Sequence, residues 1–494
     1  MPIEDVDVPQ SDGWWLRRLA RALNARPTAG APSSLVRDSR RAQYGRRDWM
    51  DLLWSYRTGE PPLPRVSREH REATREFLRM ARANYASLSV DALLDRTNLL
   101  GVRTGADGDS DGDDVVRRIM ANNGPWLSDT LDYTYSMREG FVMVGPNPDD
   151  PSSPIVTAED PRQVIMAADP ARPDVPRAVL KLFRDDDMGE DIAHLFLRAG
   201  VDPVSGARLN DRLRVAVRTG RPNAGVYFSA DSWEWDESQS GDLPVQGFGL
   251  PVVPFVNRLG MGEFEPHLDL LDRINNMIAD RLWTSKFQTF RQMAVKGDLP
   301  DRDEDGNEID YDAVFESDPG AMWRLPDGVD LWQSQTTDMT PILAAVRDDV
   351  KEFASGTRTP LFMFTPDAAA GSAEGASLMR EGLVFKAEER TARMTPSVLR
   401  VARLMLAYAG QADRAKGELQ AMWAPAERYS LAQRGSAAVQ AAQSGVPTPS
   451  ILSDVWQFPP ATTARMKKER AADMLYAAAK QPAVAPTTPT FQAP

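Results

Sequence analysis

The sequence has no cysteine, only three histidines and no long apolar run, and each shortage removes a class of function. Without cysteine there is no disulfide framework, no thiolate metal site and no cysteine nucleophile, as expected of a chain assembled in a reducing cytoplasm. His70, His194 and His267 lie far apart, and none has a partner at metal-ligand spacing, so each reads as a solvated or core histidine. No stretch approaches the ~20 apolar residues that span a bilayer. The acidic start MPIEDVDVPQSDGWW lacks the apolar core of an export signal. No membrane contact is expected. Nor is a catalyst: there is no G-x-x-x-x-G-K-[ST] phosphate loop, and GSAEG at 371–375 lacks the spacing of a nucleophile elbow. No cofactor is called for.

What is present is length and uneven charge. The 494 residues, 42% of them hydrophobic, suffice for two to four units with apolar cores. A net charge of -13 argues against a protein that coats nucleic acid. It suits a channel that must let a polyanion slide, because a negative wall repels phosphate. Residues 14–47 hold nine Arg against one acidic residue, a net of +8, and read as a basic arm with a short helix at 14–23. That arm is either a solvated tail or a contact surface for an acidic partner. Residues 298–318 reverse the sign, with ten Asp or Glu and one Arg. Asp107, Asp109, Asp111 and Gly112 imitate the opening of a calcium loop, as do Asp301, Asp303, Asp305 and Gly306. The first has Arg118 at its twelfth position, and the second has Glu308 in place of the usual apolar eighth residue, so neither is taken as a metal site.

Apolar residues recurring at three and four predict helices at 48–56, 68–85, 90–100, where Gly101 closes the pattern, and 115–137, interrupted at Gly124 and Pro125. A strand at 141–144 and β-like runs at 164–166, 178–183, 193–197 and 225–228 predict a small antiparallel sheet. The apolar stretch at 249–257 enters a long helix from Pro266, with a stripe of Leu268, Leu271, Ile274, Ile278, Leu282 and Phe287. At ~1.5 Å per residue it is a rod of roughly 35–40 Å. Runs at 291–295 and 321–325 are expected to pair around a turn at Asp305 and Gly306. A second helix starts at Thr340 and Pro341, buries Ile342, Val346, Val350 and Phe353, and stops at Gly356. Two struts thus bracket an acidic tip. A Thr, Pro, Gly and Ala-rich loop at 357–374 precedes a helix over 376–409 that Pro396 should kink, and helices follow near 426–443, 449–456 and 461–479. The fold class is α+β, mainly α.

Five segments, in this order, carry a family likeness: NNGPWLSDTLDYTYSMREGFVMVG, SPIVTAEDPRQVIMAADP, GLPVVPFVNRLGMGEFEPHLDLLDRINNMIADRL, MWRLPDGVDLWQSQTTDMTPILAAVRDDVKEFASGTRTP and GSAEGASLMREGLVFKAEER. By their order and spacing the chain resembles the portal proteins of long-tailed bacteriophages, especially those infecting actinobacteria, over nearly all its length. It departs from the family at the start of the long helix, where GSAEGA lacks the usual asparagine. Beyond the basic arm read from its charge at 1–47, the resemblance implies a wing at 48–259, stem helices at 260–290 and 339–356, and a β-containing clip at 291–338. It further implies a tunnel loop at 357–374, a long helix at 375–422 and a helical crown at 423–480, while the Pro, Thr and Ala-rich composition of 481–494 predicts a disordered tail.

It also implies a homo-oligomeric ring, dodecameric in the capsid, that passes double-stranded DNA in packaging and ejection. Terminase, a head–tail adaptor, and the major capsid and scaffolding proteins would be its partners, with assembly in the host cytoplasm and residence at the portal vertex of the virion. Thr357, Arg358, Thr365, Asp367 and Ser372 are then the candidates for weak contact with DNA, Arg358 serving either a phosphate or an intersubunit salt bridge. Asp301, Asp303, Glu304, Asp305, Glu308, Asp310 and Asp312 would form an acidic collar at the clip, repelling DNA or docking basic partners, or else a solvated hairpin tip. The rival reading is a minor capsid or tail-adaptor component without a DNA conduit.

Overall fold

The alternation of apolar residues between 164 and 242 is long enough to build a sheet with two different buried faces. The computed structural model describes residues 3–24, 40–64, 75–104, 114–203, 205–219, 232–289, 293–297, 299–302, 306, 308–310, 329–333, 338–365, 373–427, 431–456, 458 and 460–480. The chain divides into two units. The first comprises Met1–Pro61, Asn84–His267 and Ala354–Pro494, and the second Pro62–Ala83 and Leu268–Phe353.

In the first unit, five antiparallel strands lie in the order Glu234–Asp242, Arg212–Thr219, Glu190–Leu197, Arg172–Asp185, Val164–Asp169. One face gathers Ala178, Leu180, Leu182, Ala193, Leu195 and Ala216 against Leu16, Leu19, Ala20 and Leu23 of the helix Asp12–Leu23. The N-terminal segment is therefore not a free arm there. Its helix has an apolar stripe at positions 16, 19, 20 and 23, and burial of that stripe outweighs its arginines. The basic loop at 25–39 lies outside the described residues. The other face of the sheet meets Phe141, Leu243, Leu250 and Val252. His194 sits edge-on to Phe183 and Phe196, and burial together with nearby Lys181 brings its pKa down to about 4, so it is a neutral core histidine.

A three-stranded antiparallel sheet, Val252–Val256, Glu139–Gly145 and Ile155–Glu159, packs on the helix Trp126–Met137. A Cβ at Gly140 would fall 2.6 Å from the Thr130 carbonyl, which is why glycine stands there. The expected helix at 90–100 is corrected: a helix spans Tyr85–Leu94, and Leu99–Thr104 is a strand paired antiparallel with Leu419–Trp423. The long helix, Ala373–Tyr408, continues through Pro396 and buries Leu383, Ala387, Met394, Val398, Val401 and Met405. Helices Leu431–Gln443 and Pro460–Lys480 follow, as expected for the C-terminal part.

The second unit holds the two expected struts, Leu268–Thr289 and Thr340–Gly356, the latter ending at the border with the first unit. Arg273, early in one, donates to Asp349 at 2.9 and 2.7 Å and to Glu352 at 2.8 Å, late in the other, so the helices run antiparallel. The strands joined to them, Met293–Lys296 and Asp330–Gln333, pair antiparallel. This corrects the expected partner at 321–325, which lies outside the described residues. The turn around Gly306 is present, with Arg302 bridged to Glu308 and Gly306 at φ +85°. Among the described residues, no helix is long and apolar enough to cross a membrane and no group of acidic or histidine side chains could hold a metal ion. The run 225–228, His70 and the first calcium-like loop lie outside the described residues.

Candidate functional site

Two stretches that the family resemblance singled out, the approach to the first strut and the start of the tunnel loop, meet inside the first unit. The strand Val252–Val256 ends at Asn257, whose side-chain amide donates to the Met261 carbonyl at 2.7 Å and to Glu263 Oε1 at 3.0 Å. Those bonds close a tight turn in which Leu259 and Gly260 both hold φ +57°. Gly262 then passes so near the preceding helix that a Cβ would lie 2.5 Å from the Ser136 carbonyl. Glu265, 6% exposed, accepts from the Trp49 indole at 2.9 Å and from the Gly262 amide at 2.8 Å, with Arg138 Nε 3.5 Å away.

Glu263 is the centre of the arrangement. Its carboxylate, 4% exposed, lies 2.8 Å from Lys386 Nζ and 2.7 Å from Arg390 Nε. Burial works against its charge, but the Lys386 and Arg390 cations outweigh burial and bring its pKa down to about 2. Burial lowers the pKa of Lys386, which has Glu263 in its favour but Arg390 and Arg358 against it. Two cations on one carboxylate favour an ionised Glu263. Lys386 also donates to the Thr357 carbonyl at 2.9 Å and so ties the strut-helix terminus to the same carboxylate.

That terminus is closed by two bonds, Arg358 N–H to the Ser355 carbonyl at 3.1 Å and Thr359 N–H to the Ala354 carbonyl at 2.9 Å, with Arg358 left-handed at φ +54°. The same pair of bonds closes three other helices, and there the left-handed residue is Gly59, Gly410 or Gly445. An L-residue in that conformation costs about 1–2 kcal/mol, which glycine avoids. Around Asn257, Arg258, Glu263, His267, Arg358 and Glu389 the structure leaves a cleft of about 360 Å³.

The predicted tunnel residues fare differently. Thr357 is 2% exposed, and its hydroxyl bonds the Ala354 carbonyl and Thr359 Oγ1, so within the subunit it shapes the corner. Arg358 is exposed at the cleft, and Thr365 is half-buried with its hydroxyl on the Leu361 carbonyl. Asp367 and Ser372 lie outside the described residues. Of the acidic set, Asp301, Glu308 and Asp310 are exposed, while Asp303, Glu304, Asp305 and Asp312 lie outside the described residues. Glu263, Lys386 and Arg390 were not foreseen. Their signal was the long helix's own stripe, in which Arg390 occupies the slot between Ala387 and Met394 where an apolar residue belongs.

The family model for phage portal proteins of the SPP1 Gp6-like kind matches residues 128–474. The chain therefore belongs to the SPP1 Gp6-like phage portal proteins, structural components of the capsid vertex, and the rival reading as a minor capsid or tail-adaptor component gives way. No curated protein matches it. Among solved structures, a chain from the "neck of native GTA particle computed with C12 symmetry" matches with a TM-score of 0.37 and 10% identity, over 82% of this chain and 98% of that one.

Proposed function

We propose that copies of this chain close head to tail into a ring, a dodecamer in the capsid, whose bore carries double-stranded DNA inward during packaging and outward during ejection. The observation that carries the reading, beside the family, is the first strut. Its stripe is buried at Leu268, Leu271 and Ile274 but only half-buried at Ile278 and Leu282. Apolar surface left open along one side of a rod calls for a neighbour, and a head-to-tail ring supplies one to every copy. Leu331 and Trp332, 37% and 55% exposed on opposite faces of the strand before the second strut, are further apolar groups open to a neighbour.

The exposed Asp301, Glu308 and Asp310 belong to an acidic tip that the ring multiplies into a collar, where basic adaptor or terminase surfaces dock. Thr365, Asp367 and Ser372 belong to the loop along the duplex, which they touch without reading sequence. In this reading the subunit is assembled in the host cytoplasm with capsid and scaffolding proteins and hydrolyses nothing itself, a separate terminase driving the DNA. Electron microscopy of the purified full-length chain tests it: rings with a central hole are expected. Single subunits at every concentration, even with scaffolding protein present, would refute the ring.

A further inference from the structure

Two exposed side chains beside the cleft stand on backbone that does not favour them. Leu259 holds φ +57° with 82% of its surface exposed, so no packing within the subunit explains a leucine there. Arg358 holds φ +54° in a helix cap that this chain elsewhere builds with glycine three times. Residues kept against backbone preference mark sites where the side chain has work outside the local fold.

The charges that line the cleft point to the ligand. Four cations, Arg258, Arg358, Lys386 and Arg390, face two carboxylates, Glu263 and Glu389, so the occupant must bring negative charge. Leu259 asks for an apolar group. A phosphodiester supplies the charge but not the apolar surface; a polypeptide carrying a carboxylate supplies both.

We propose that an acidic segment of the next copy of this chain docks in the cleft, its carboxylate held by Arg258 and Arg358, and an apolar side chain on Leu259. A second copy fits because this acidic chain displays such segments itself: the turn at 185–190 presents Asp186 and Asp187 beside Met188, which is 70% exposed. The proposal rests on the ring reading and assigns one face of its head-to-tail contact.

The test uses the full chain, with a photo-crosslinking amino acid at position 259 in one arm and Arg358→Gly and Leu259→Gly in the other. Irradiated rings should yield dimers, with position 259 joined to an acidic peptide of a second copy. Each glycine variant should melt no lower than the wild type, because the backbone conflict is relieved, yet lose about tenfold in ring assembly. Arg358→Lys should restore part of it. Crosslinks to DNA alone, or glycine variants that assemble like the wild type, would overturn the docking contact while leaving the ring standing. Absence of rings from the wild type would overturn both.

Discussion

Glu263→Gln is the perturbation on which the buried joint can be judged. The substitution keeps the shape and removes the charge, leaving Lys386 and Arg390, with side chains only 6% and 9% exposed, without their shared carboxylate. Removing one member of a buried, hydrogen-bonded ion cluster costs about 3–5 kcal/mol. The pKa gives a similar figure: a carboxyl at about 2 in the folded chain instead of the ordinary 4.5 contributes about 3 kcal/mol. The sign follows from the depressed value. That stability is fully present above pH 4.5 and is lost as pH falls toward 2. In urea, with slopes of ~1–3 kcal/mol per M, a loss of about 3 kcal/mol should lower the midpoint at neutral pH by about 1–3 M, and the acid dependence below pH 4.5 should flatten. Combining Glu263→Leu, Lys386→Met and Arg390→Met should recover most of the loss, because an apolar replacement leaves no stranded charge. A Glu263→Gln midpoint within about 0.2 M of wild type, the range of an ordinary surface change, would refute the buried-charge reasoning.

Gly140→Ala places a Cβ 2.6 Å from the Thr130 carbonyl, a backbone atom that cannot yield, and should destabilise by about 1–3 kcal/mol in thermal melts. His194, with a folded pKa of about 4 against 6.5, binds its proton more readily when unfolded, so stability falls as pH drops from 6.5 to 4. His194→Phe should remove that slope, at most about 3 kcal/mol, when midpoints are compared across the window. Leu16→Ala, in a fully buried position of the N-terminal helix, should cost about 2–5 kcal/mol and open the segment before residue 24 to limited proteolysis.

Much of the fold is written locally. The helix over Ala373–Tyr408 was expected at 376–409, and the strut helices within a few residues of Leu268–Thr289 and Thr340–Gly356, because long apolar stripes and proline at a first turn are strong signals. What was missed is non-local. Leu99–Thr104 reads as the end of a helix when only its neighbours are considered, since its partner strand, Leu419–Trp423, lies more than 300 residues away. The runs at 321–325 and Asp330–Gln333 both carry β-forming residues, and only pairing with Met293–Lys296 picks out the second. The N-terminal helix, expected at 14–23, stands at Asp12–Leu23, but its docking on the sheet is non-local: Leu16, Leu19, Ala20 and Leu23 bury against strands more than 140 residues on. Of the site, Arg358 is legible as a cation in the loop that follows the second strut, but its left-handed backbone is not, since nothing beside an arginine in sequence announces a cap that glycine usually fills.

The buried joint has a consequence for how the first unit holds its chain. The polypeptide leaves that unit after His267 and returns at Ala354. Lys386 bonds both sides of this excursion, Glu263 four residues before the exit and the Thr357 carbonyl three residues after the return. One ammonium on the rigid long helix therefore fixes exit and return together. A displacement of either end must break a charge-assisted bond in a dry site or carry the other end with it. Sharing one carboxylate between Lys386 and Arg390 strengthens this, because Glu263 cannot follow one cation without straining its bond to the other. A cluster that an apolar replacement would match in stability is thus better explained by position: it holds two distant points of the chain in one place, which Leu or Met side chains, free to slide past one another, would do with less specificity.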